Sequence, residues 1–375
     1  MTELAKLRRL LHSQPELAGY EEATSRFIRD FLEHCRPDDI IAGIAGFGVA
    51  AVFEGKQTGP RVLFRCELDA LQIPETIDIP HGSKNEGVSH KCGHDGHMAI
   101  MAGLALALHN QRPKRGSAVL LFQPSEETGE GAELVLNDPK YEQIHPDYVF
   151  ALHNLPGFRL GEVILSDGLF ASASSGLAVH LRGDTSHAAE PYKGKSPALA
   201  VAQLIEGISS IPQFHTPLHE SAQATIIHAN LGEVAFGTSP GYGSVMATLR
   251  SHSQETMDTL VEKSAELADR IAAVYDLQCE TTMTQPFPPT ENDPEVTAII
   301  RESAKQLGIE SHELTVPFAW SEDFGHFTVK HKGALFGLGS GESQPALHHP
   351  EYDFPDDLIE IGVRVFAKIL QSLVG

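Results

Sequence analysis

The amino-acid sequence predicts an α/β domain that is interrupted by an inserted α+β domain. Short apolar runs of the parallel-strand type alternate with helical spacing in the outer parts of the chain, and the segment between them has the order βαββαβ. The length of 375 residues also favours two domains, because a single core stops growing near about 250 to 300 residues. We therefore predict a discontinuous first domain, residues 1–169 and 287–375, and an inserted domain, residues 170–286.

The first domain is predicted to begin with two helices, at residues 5–12 and 21–35, that the break "SQPE" separates. Three apolar runs then predict buried strands, "RVLFRCELDA", "AVLLFQPSEE" and "DYVFALHN", and a helix over residues 96–109 separates the first two. After the insertion, the pattern predicts a helix at 294–307, a strand in "GALFGLG" and a closing helix at 355–373.

The inserted domain is predicted from six segments in order. They are a strand in "SSGLAVHLRG", a helix in "SPALAVAQLIEGISS", strands in "AQATIIHANL" and "GSVMATLRS", a long helix in "QETMDTLVEKSAELADRIAAVY" and a last strand in "QCETTMT". This order is a split ferredoxin-like unit that can fold alone. An exposed edge strand in such a unit predicts pairing with a second subunit, and hence a homodimer.

Composition excludes several classes of partner. The formal net charge is −22, and "RPKRG" at 112–116 is the only local basic cluster, so we expect no nucleic-acid partner. The apolar runs are shorter than the roughly 20 residues that a membrane span needs. The first residues, "MTELAKLRRLLHSQPE", predict an amphipathic helix rather than a signal peptide, and four cysteines without a pairing pattern indicate reduced thiols. We therefore predict a cytoplasmic protein without a membrane partner.

Polar side chains with chemical potential follow the predicted strands of the first domain. Asp69 ends the first strand, Glu126 and Glu127 follow the second, and His153 lies near the end of the third. Open α/β sheets place their sites beyond the carboxyl ends of their strands. We therefore expect these side chains to meet at one edge of the sheet.

The segment "HKCGHDGH" adds a thiol and imidazoles to the same edge. Cys92 and His94 are predicted to lie in the loop before the helix at 96–109, at a spacing that lets both reach one metal ion. A thiolate, imidazoles and carboxylates together suit zinc or a neighbouring transition metal. Taken singly, a cysteine is usually a small buried apolar side chain and a loop histidine is usually solvated. Together with Glu127 and His153, they predict a metal site.

The tandem glutamates predict a division of roles. Pro124 ends the strand, so the side chains of Glu126 and Glu127 can converge instead of alternating across the sheet. One carboxylate could bind metal while its neighbour transfers protons, as metal-assisted hydrolysis requires. The alternative for an isolated "EE" is an exposed acidic loop.

Eight segments give the chain a resemblance to a known family. They are "HSQPEL", "FRCELDAL", "HKCGHDGH", "FQPSEE", "ALHNLP", "DTSHAAEP", "SEDF" and "LHHPEYDF". Their order and approximate distances resemble those of the dinuclear-metal amidohydrolases that include hippurate hydrolase, auxin-conjugate (IAA-amino acid) hydrolases and N-acyl-amino-acid amidohydrolases, relatives of the aminoacylases and metallo-carboxypeptidases. The resemblance spans nearly the whole chain. It implies a metallopeptidase-like catalytic domain, with a mixed sheet flanked by helices, and a ferredoxin-like lid.

The resemblance also implies roles for individual residues. Two divalent metal ions would be bound by Cys92, His94, Glu127, His153 and His348. Glu126 would be the general base, and His187 in the lid would stabilise the oxyanion, in its own subunit or in that of a partner. His349, the second histidine of "LHHP", would have no role in the site.

Three further carboxylates have less specific expectations. Asp69 matches an aspartate behind the metals that orients a ligand imidazole. Asp95 and Glu322 could act similarly, although buried structural roles are equally consistent with their positions.

The chain departs from the family pattern in two places. Glu67 stands where related sequences commonly have Asp. In "LGEVAFGTSPGYG", residues 231–243, Gly-Thr-Ser-Pro replaces an Asn-Val-Ile-Pro run that helps to frame the carboxylate end of the substrate. Arg250 remains a candidate for binding that carboxylate, with an exposed strand arginine as the alternative.

The predicted function is metal-dependent hydrolysis of the amide bond of an N-acyl amino acid or a similar small amide. The alternatives are a dipeptidase or carboxypeptidase with the same centre, and a metal-binding homologue without catalysis. Manganese, zinc, cobalt and nickel all remain open as the metal, because occupancy follows availability as well as affinity.

Overall fold

The computed structural model describes residues 2–375, and the chain packs as two compact units. Unit 1 comprises the chain up to Phe170, Thr290–Pro317 and Asp323–Gly375, and unit 2 comprises Ala171–Pro289 and Phe318–Glu322. The short segment Phe318–Glu322 differs from the sequence-based division, which left it in the first domain. It packs with unit 2 because the backbone carbonyl of Phe318 accepts hydrogen bonds from both the backbone N–H and the hydroxyl of Ser172, at 3.0 and 2.7 Å.

Helices are distributed along the whole of residues 2–375. In chain order they are α1 Glu3–His12, α2 Glu22–His34, α3 His94–Asn110, α4 Gly131–Asn137, α5 Ala198–His215, α6 Gln254–Val274, α7 Pro294–Gln306, α8 Gly325–Lys330 and α9 Asp357–Val374. Short 3₁₀ turns cover Glu126–Thr128, Pro139–Gln143 and Pro191–Lys193. None of the helices in this part of the chain combines the length and the apolar character that crossing a bilayer requires.

The strands are numbered in the same way. They are β1 Asp39–Ile44, β2 Gly48–Glu54, β3 Gln57–Glu67, β4 Arg115–Gln123, β5 Tyr148–Pro156, β6 Val163–Leu165, β7 Leu169–Ala171, β8 Ala173–Arg182, β9 Ser186–His187, β10 Ala222–Leu231, β11 Thr238–Ser239, β12 Tyr242–Ser251, β13 Gln278–Phe287, β14 Thr290–Glu291, β15 Ser311–Glu313 and β16 Lys332–Gly341.

Unit 1 is built on a mixed sheet of eight strands in the order β1-β2-β4-β3-β5-β16-β6-β15. The central strands β4, β3, β5 and β16 run parallel. Strand β2 pairs antiparallel with β1 and β4, and β6 pairs antiparallel with β16 and parallel with β15. The helix α3 packs against β3, α1 and α9. The predicted α/β class and mixed sheet are therefore confirmed, and the carboxyl ends of β3, β4 and β5 lie side by side.

The helix α3 begins earlier than the sequence predicted. His94 is the first residue of the helix and not a loop residue. Of the segment "CGH", only Cys92 and Gly93 lie before the helix. The reason is Gly93, which adopts a left-handed φ of 94° and turns the chain directly into the helix. A β-carbon at Gly93 would lie 2.5 Å from Oδ1 of Asn154, so the close approach to β5 also requires glycine.

Unit 2 has the predicted order of elements, β8-α5-β10-β12-α6-β13. Its four long strands form an antiparallel sheet in the order β10-β12-β8-β13, the ferredoxin-like arrangement. Helices α5 and α6 bury one face of this sheet, with Leu204, Ile208 and Leu260 in the core. A separate two-stranded ribbon pairs β9 with β11, so that His187 lies opposite Thr238.

Candidate metal centre

The candidate site lies in unit 1, where loops leave the carboxyl ends of neighbouring strands. Cys92 and His94 lie at the start of α3, and Glu127 lies in the 3₁₀ turn after β4. His153 lies on β5, and His348 lies in the loop between β16 and α9. The sheet order explains this convergence, because β4, β3 and β5 are adjacent.

The side chains of these five residues and of Glu126 come together in three overlapping groups. The groups are Cys92, His94 and His153; Cys92, Glu127 and His348; and His94, Glu126 and Glu127. Within each group, one ligand-type atom from every residue lies within 4.8 Å of the others. The structure thus places all five predicted ligands and the predicted base around one small volume.

The imidazole of His94 is held so that one nitrogen points into this volume. Its Nδ1 lies 2.9 Å from the backbone carbonyl of Asp69, which can only accept, so Nδ1 carries the proton. Its Nε2 is buried, has no hydrogen-bond partner among residues 2–375, and lies 3.9 Å from a carboxylate oxygen of Glu126 and of Glu127. A buried Nε2 that faces two carboxylates without a hydrogen bond is costly unless it carries a proton or a cation lies between them.

His153 is oriented in the same way. Its Nδ1 donates to the backbone carbonyl of Asn154 at 2.9 Å, which leaves Nε2 as the acceptor, 3.4 Å from Sγ of Cys92. Nε2 of His348 lies 3.8 Å from Oε2 of Glu127. His348 has a positive φ of 64°, and its backbone N–H donates to the carbonyl of Lys91, so its loop is tied to the residue before Cys92.

Asp69 connects two of the predicted ligands. Its backbone carbonyl binds the imidazole of His94, and its Oδ2 accepts the backbone N–H of Glu127 at 2.9 Å. The sequence predicted that Asp69 would orient a ligand imidazole. The hydrogen bond to His94 is made by its main chain, while its carboxylate positions Glu127 and lies 3.6 Å from Nδ1 of His94.

Glu126 is buried, with 4% of its surface exposed, which argues against an exposed acidic loop. Its Oε1 accepts the backbone N–H of Asp323 at 3.4 Å, and its Oε2 faces His94.

The electric field in the site favours positive charge on the carboxylate side. Burial alone would lower the pKa of His94, but the carboxyl groups of Asp69, Glu67 and Glu127 raise it to about 10. Burial, followed by the charge of His97, lowers the pKa of His153 to about 3, so this imidazole is neutral and available as a ligand. Anionic side chains facing neutral donors are the chemistry that a divalent cation requires.

A buried ion network under the site was not predicted. Glu67 is not one of the five predicted ligands. It binds the guanidinium of Arg65, and its carboxylate lies 2.6 Å from Nδ1 of His97. Arg65 also binds Asp323, the residue whose backbone contacts Glu126. Burial would raise the pKa of Glu67, but Arg65 and His97 hold it well below its ordinary range. Charged residues at a spacing of two in a buried strand must be paired, and this was the available signal.

The remaining predicted residues lie away from the clustered side chains or in unit 2. Asp95 is buried and accepts from Nε of Arg8 at 2.7 Å and from Nδ1 of His12 at 2.8 Å, so it joins α3 to α1. His187 is exposed on β9 of unit 2, and its Nδ1 accepts the backbone N–H of Ala189 at 3.1 Å.

Two further candidates belong to unit 2, and one histidine lies beside a predicted ligand. Arg250 is on β12, and its Nη1 donates to the carbonyl of Ala319 at 2.8 Å and to Oγ of Ser321 at 3.1 Å. Glu322 is the residue after Ser321, and 1% of its surface is exposed. His349, next to His348, is exposed and accepts the backbone N–H of Glu351.

Comparisons with known proteins agree with the fold. The sequence profile of peptidase family M20/M25/M40 matches residues 63–372. The chain is 30% identical to N-acetyl-L-cysteine deacetylase of Bacillus subtilis over 358 residues, 95% of this chain and 85% of that protein. It is 30% identical to hippurate hydrolase of Campylobacter jejuni over 369 residues, 98% of this chain and 95% of that protein.

Solved structures of other proteins have the same fold. A dinuclear metal-binding peptidase of the M20 family from Bacillus subtilis superimposes with a TM-score of 0.82 at 26% identity, covering 99% of this chain and 97% of that one. A putative aminohydrolase from methicillin-resistant Staphylococcus aureus has the same fold, with a TM-score of 0.89 at 22% identity over 100% of this chain and 96% of that one. The chain therefore belongs to peptidase family M20/M25/M40.

Proposed function

We propose that this protein hydrolyses the amide bond of N-acyl amino acids or similar small amides, releasing a carboxylic acid and an amino acid. Its relatives include an N-acetyl-L-cysteine deacetylase and a hippurate hydrolase, and both act on an acyl group joined to an amino acid. The observation that carries the proposal is Glu126, a buried carboxylate grouped with His94 and Glu127 and not itself one of the five proposed metal ligands.

Two divalent metal ions would be held by Cys92, His94, Glu127, His153 and His348. The donor set fits them, because the buried Nε2 of His94 faces two carboxylates and the imidazole of His153 is neutral. When bound, such ions supply Lewis acidity toward the amide carbonyl and lower the pKa of water. Manganese, zinc, cobalt and nickel are all compatible with thiolate, imidazole and carboxylate donors.

Glu126 is the proposed proton carrier. A carboxylate that accepts a proton from the attacking water can deliver the same proton to the departing amine, so one residue serves both halves of the reaction. Its position is held by the backbone N–H of Asp323, and its burial keeps it from bulk water. Asp69 supports the reaction by positioning Glu127 and His94.

Unit 2 is the proposed lid and dimerisation domain. His187 is proposed to stabilise the oxyanion, in its own subunit or in a partner's, because its Nδ1 accepts a backbone N–H and its Nε2 is then the donor. Arg250 is proposed to bind the substrate carboxylate with the part of its guanidinium that does not contact Ala319 and Ser321. Glu322 and Asp95 are proposed as supporting residues.

The proposed homodimer rests on the edge of the sheet in unit 2. The edge strand β10 exposes Ile227 and Leu231, and exposed apolar edges favour strand pairing with another chain. We also propose a cytoplasmic location, which agrees with four free cysteines. We propose no nucleic-acid or membrane partner.

A substrate panel on the metal-loaded protein tests the proposal. The panel compares N-acetyl amino acids, N-benzoyl amino acids and dipeptides, with Mn²⁺, Zn²⁺, Co²⁺ or Ni²⁺ added separately to the apoprotein. We expect the N-acyl amino acids to have the highest kcat/KM. Preference for dipeptides would instead identify a dipeptidase or carboxypeptidase, and full metal occupancy without turnover on any amide would identify a binding protein.

A further inference from the structure

The segment "SQPELAGYE", residues 13–21, has no part in the chemistry described so far, although it contains one of the motifs shared with the family. It connects α1 to α2 and contacts two strand ends of the site. Leu17 forms a parallel bridge with Ala70, and the backbone N–H of Ala70 donates to the carbonyl of Glu16 at 2.8 Å. The backbone N–H of Gly19 donates to Oγ of Ser125 at 3.0 Å.

Glu21 makes the closest connection to the catalytic loop. Its Oε1 accepts the backbone N–H of Ser125 at 2.8 Å and lies 3.3 Å from the hydroxyl of the same residue. Glu21 stands at the N-cap of α2, where a Ser, Thr, Asp or Asn side chain commonly caps the helix, and its own side chain makes no such cap. Instead, Glu16 binds the backbone N–H groups of Ala23 and Thr24, which leaves the carboxylate of Glu21 for Ser125.

Ser125 is strained. It has a φ of 59°, in the left-handed region that disfavours side chains, and it directly precedes Glu126 and Glu127. This reversal starts the 3₁₀ turn after β4, and the carbonyl of Ser125 accepts the backbone N–H of Gly131, which closes the loop. The strained residue therefore sets the direction in which both glutamates leave the sheet.

Glu21 is an unusual residue to bury for stability alone. It is 0% exposed, and its Oε2 has no hydrogen-bond partner among residues 2–375. A buried carboxyl group with an unsatisfied oxygen lowers the stability of the fold, so its presence calls for a role other than stability.

We propose that Glu21 is a positioning residue whose carboxyl group holds Ser125 in its left-handed conformation and thereby aims Glu126 and Glu127 into the site. This inference rests on the proposed function for the roles of the two glutamates. The contact itself, the strain at Ser125 and the burial of Glu21 are independent of those roles.

The test uses the full-length protein and four variants. Glu21→Ala removes the contact, whereas Glu21→Gln keeps an acceptor oxygen. The amide is a close substitute because burial raises the pKa of Glu21 to about 7, so the carboxyl is partly neutral near that pH. Glu21→Ala with Ser125→Gly removes the contact but supplies a residue that adopts a positive φ without strain. Glu22→Ala is the matched control, because Glu22 is the exposed neighbour on the same helix turn.

The readouts are kcat and KM for an N-acetyl amino acid, the affinity for Mn²⁺ alone, and Tm. We expect Glu21→Ala to lower kcat about 10-fold to 100-fold, because displacements near 1 Å can have effects of that size, with KM nearly unchanged. Mn²⁺ affinity should also fall, since Glu127 moves with the loop. Adding Ser125→Gly should restore much of both losses, and Glu21→Gln and Glu22→Ala should stay close to wild type.

Wild-type kcat and Mn²⁺ affinity in Glu21→Ala would overturn the proposal. So would losses that Ser125→Gly leaves unchanged and that follow Tm across all variants, since these would indicate a general effect on folding. If the wild-type protein hydrolyses no amide but Mn²⁺ affinity shows the expected pattern, the proposed function fails and the role of Glu21 stands.

Discussion

Replacing Glu126 with Gln separates proton transfer from every other role that this side chain could have. The change preserves the shape of the side chain and an oxygen that can accept the backbone N–H of Asp323, now 3.4 Å from Oε1. It removes one negative charge 3.9 Å from Nε2 of His94. At an effective dielectric constant of about 20, a charge at that distance attracts a unit positive charge by about 4 kcal/mol. A purely electrostatic role would therefore appear mainly as weaker metal binding.

A role in proton transfer would appear instead as a lower kcat. If Glu126 carries the proton, kcat should fall about 100-fold to 10,000-fold even when metal is saturating. At 1.36 kcal/mol for each factor of ten, this corresponds to about 2.7 to 5.4 kcal/mol of transition-state stabilisation. The KM for substrate should change little, because the substitution leaves the proposed binding groups in place.

The assay measures kcat, KM and metal content at saturating Mn²⁺ for Glu126→Gln and for Glu127→Gln. Glu127→Gln is the matched control: it changes the adjacent residue in the same way, but it should weaken metal binding first and regain activity as Mn²⁺ is raised. A Glu126→Gln enzyme with kcat within about 3-fold of wild type at saturating metal would refute the mechanism, since general acid-base groups contribute far more.

Three further predictions concern the surrounding residues. Cys92→Ala should lose most bound metal while the protein remains folded, and wild-type metal content measured by elemental analysis would refute a ligand role. Asp69→Asn should weaken Mn²⁺ affinity about tenfold. A hydrogen bond to a charged acceptor contributes about 1.5 to 3 kcal/mol, and the amide keeps only a neutral acceptor for the N–H of Glu127. Isothermal titration would detect the weaker binding, and an unchanged affinity would contradict the prediction. For His12, burial alone would lower the pKa, but Asp95 and Glu75 raise it to about 9. The resulting stability should be fully present below pH about 6.5 and be lost as pH rises to about 9, an effect on the order of 3 kcal/mol. Urea unfolding from pH 6 to 10 should therefore show a steeper decline for wild type than for His12→Asn, and parallel curves would contradict the assignment.

The sequence alone determined the fold class and most of the elements. Apolar runs that are buried on both faces identified β3, β4 and β5, and helical spacing identified α1, α2, α6 and α9, because these patterns depend on local periodicity. The order βαββαβ of unit 2 was readable for the same reason. The sequence did not reveal β1, β2 and β6. Strands β2 and β6 pair with β4 and β16, which are distant along the chain, and β1 pairs with β2 at the edge of the sheet.

The residues of the candidate site were also named from the sequence, since strand ends in an α/β sheet meet at one edge and the motifs resemble a known family. Only the tertiary structure decided how they are held. The contact of Asp69 with Glu127, the pairing of Arg65 with Asp323, and the strained Ser125 against Glu21 each join segments that no local pattern relates. Burial is the physical reason: a charged or strained group inside the protein must find its partner in three dimensions, and sequence spacing does not record which segment supplies it.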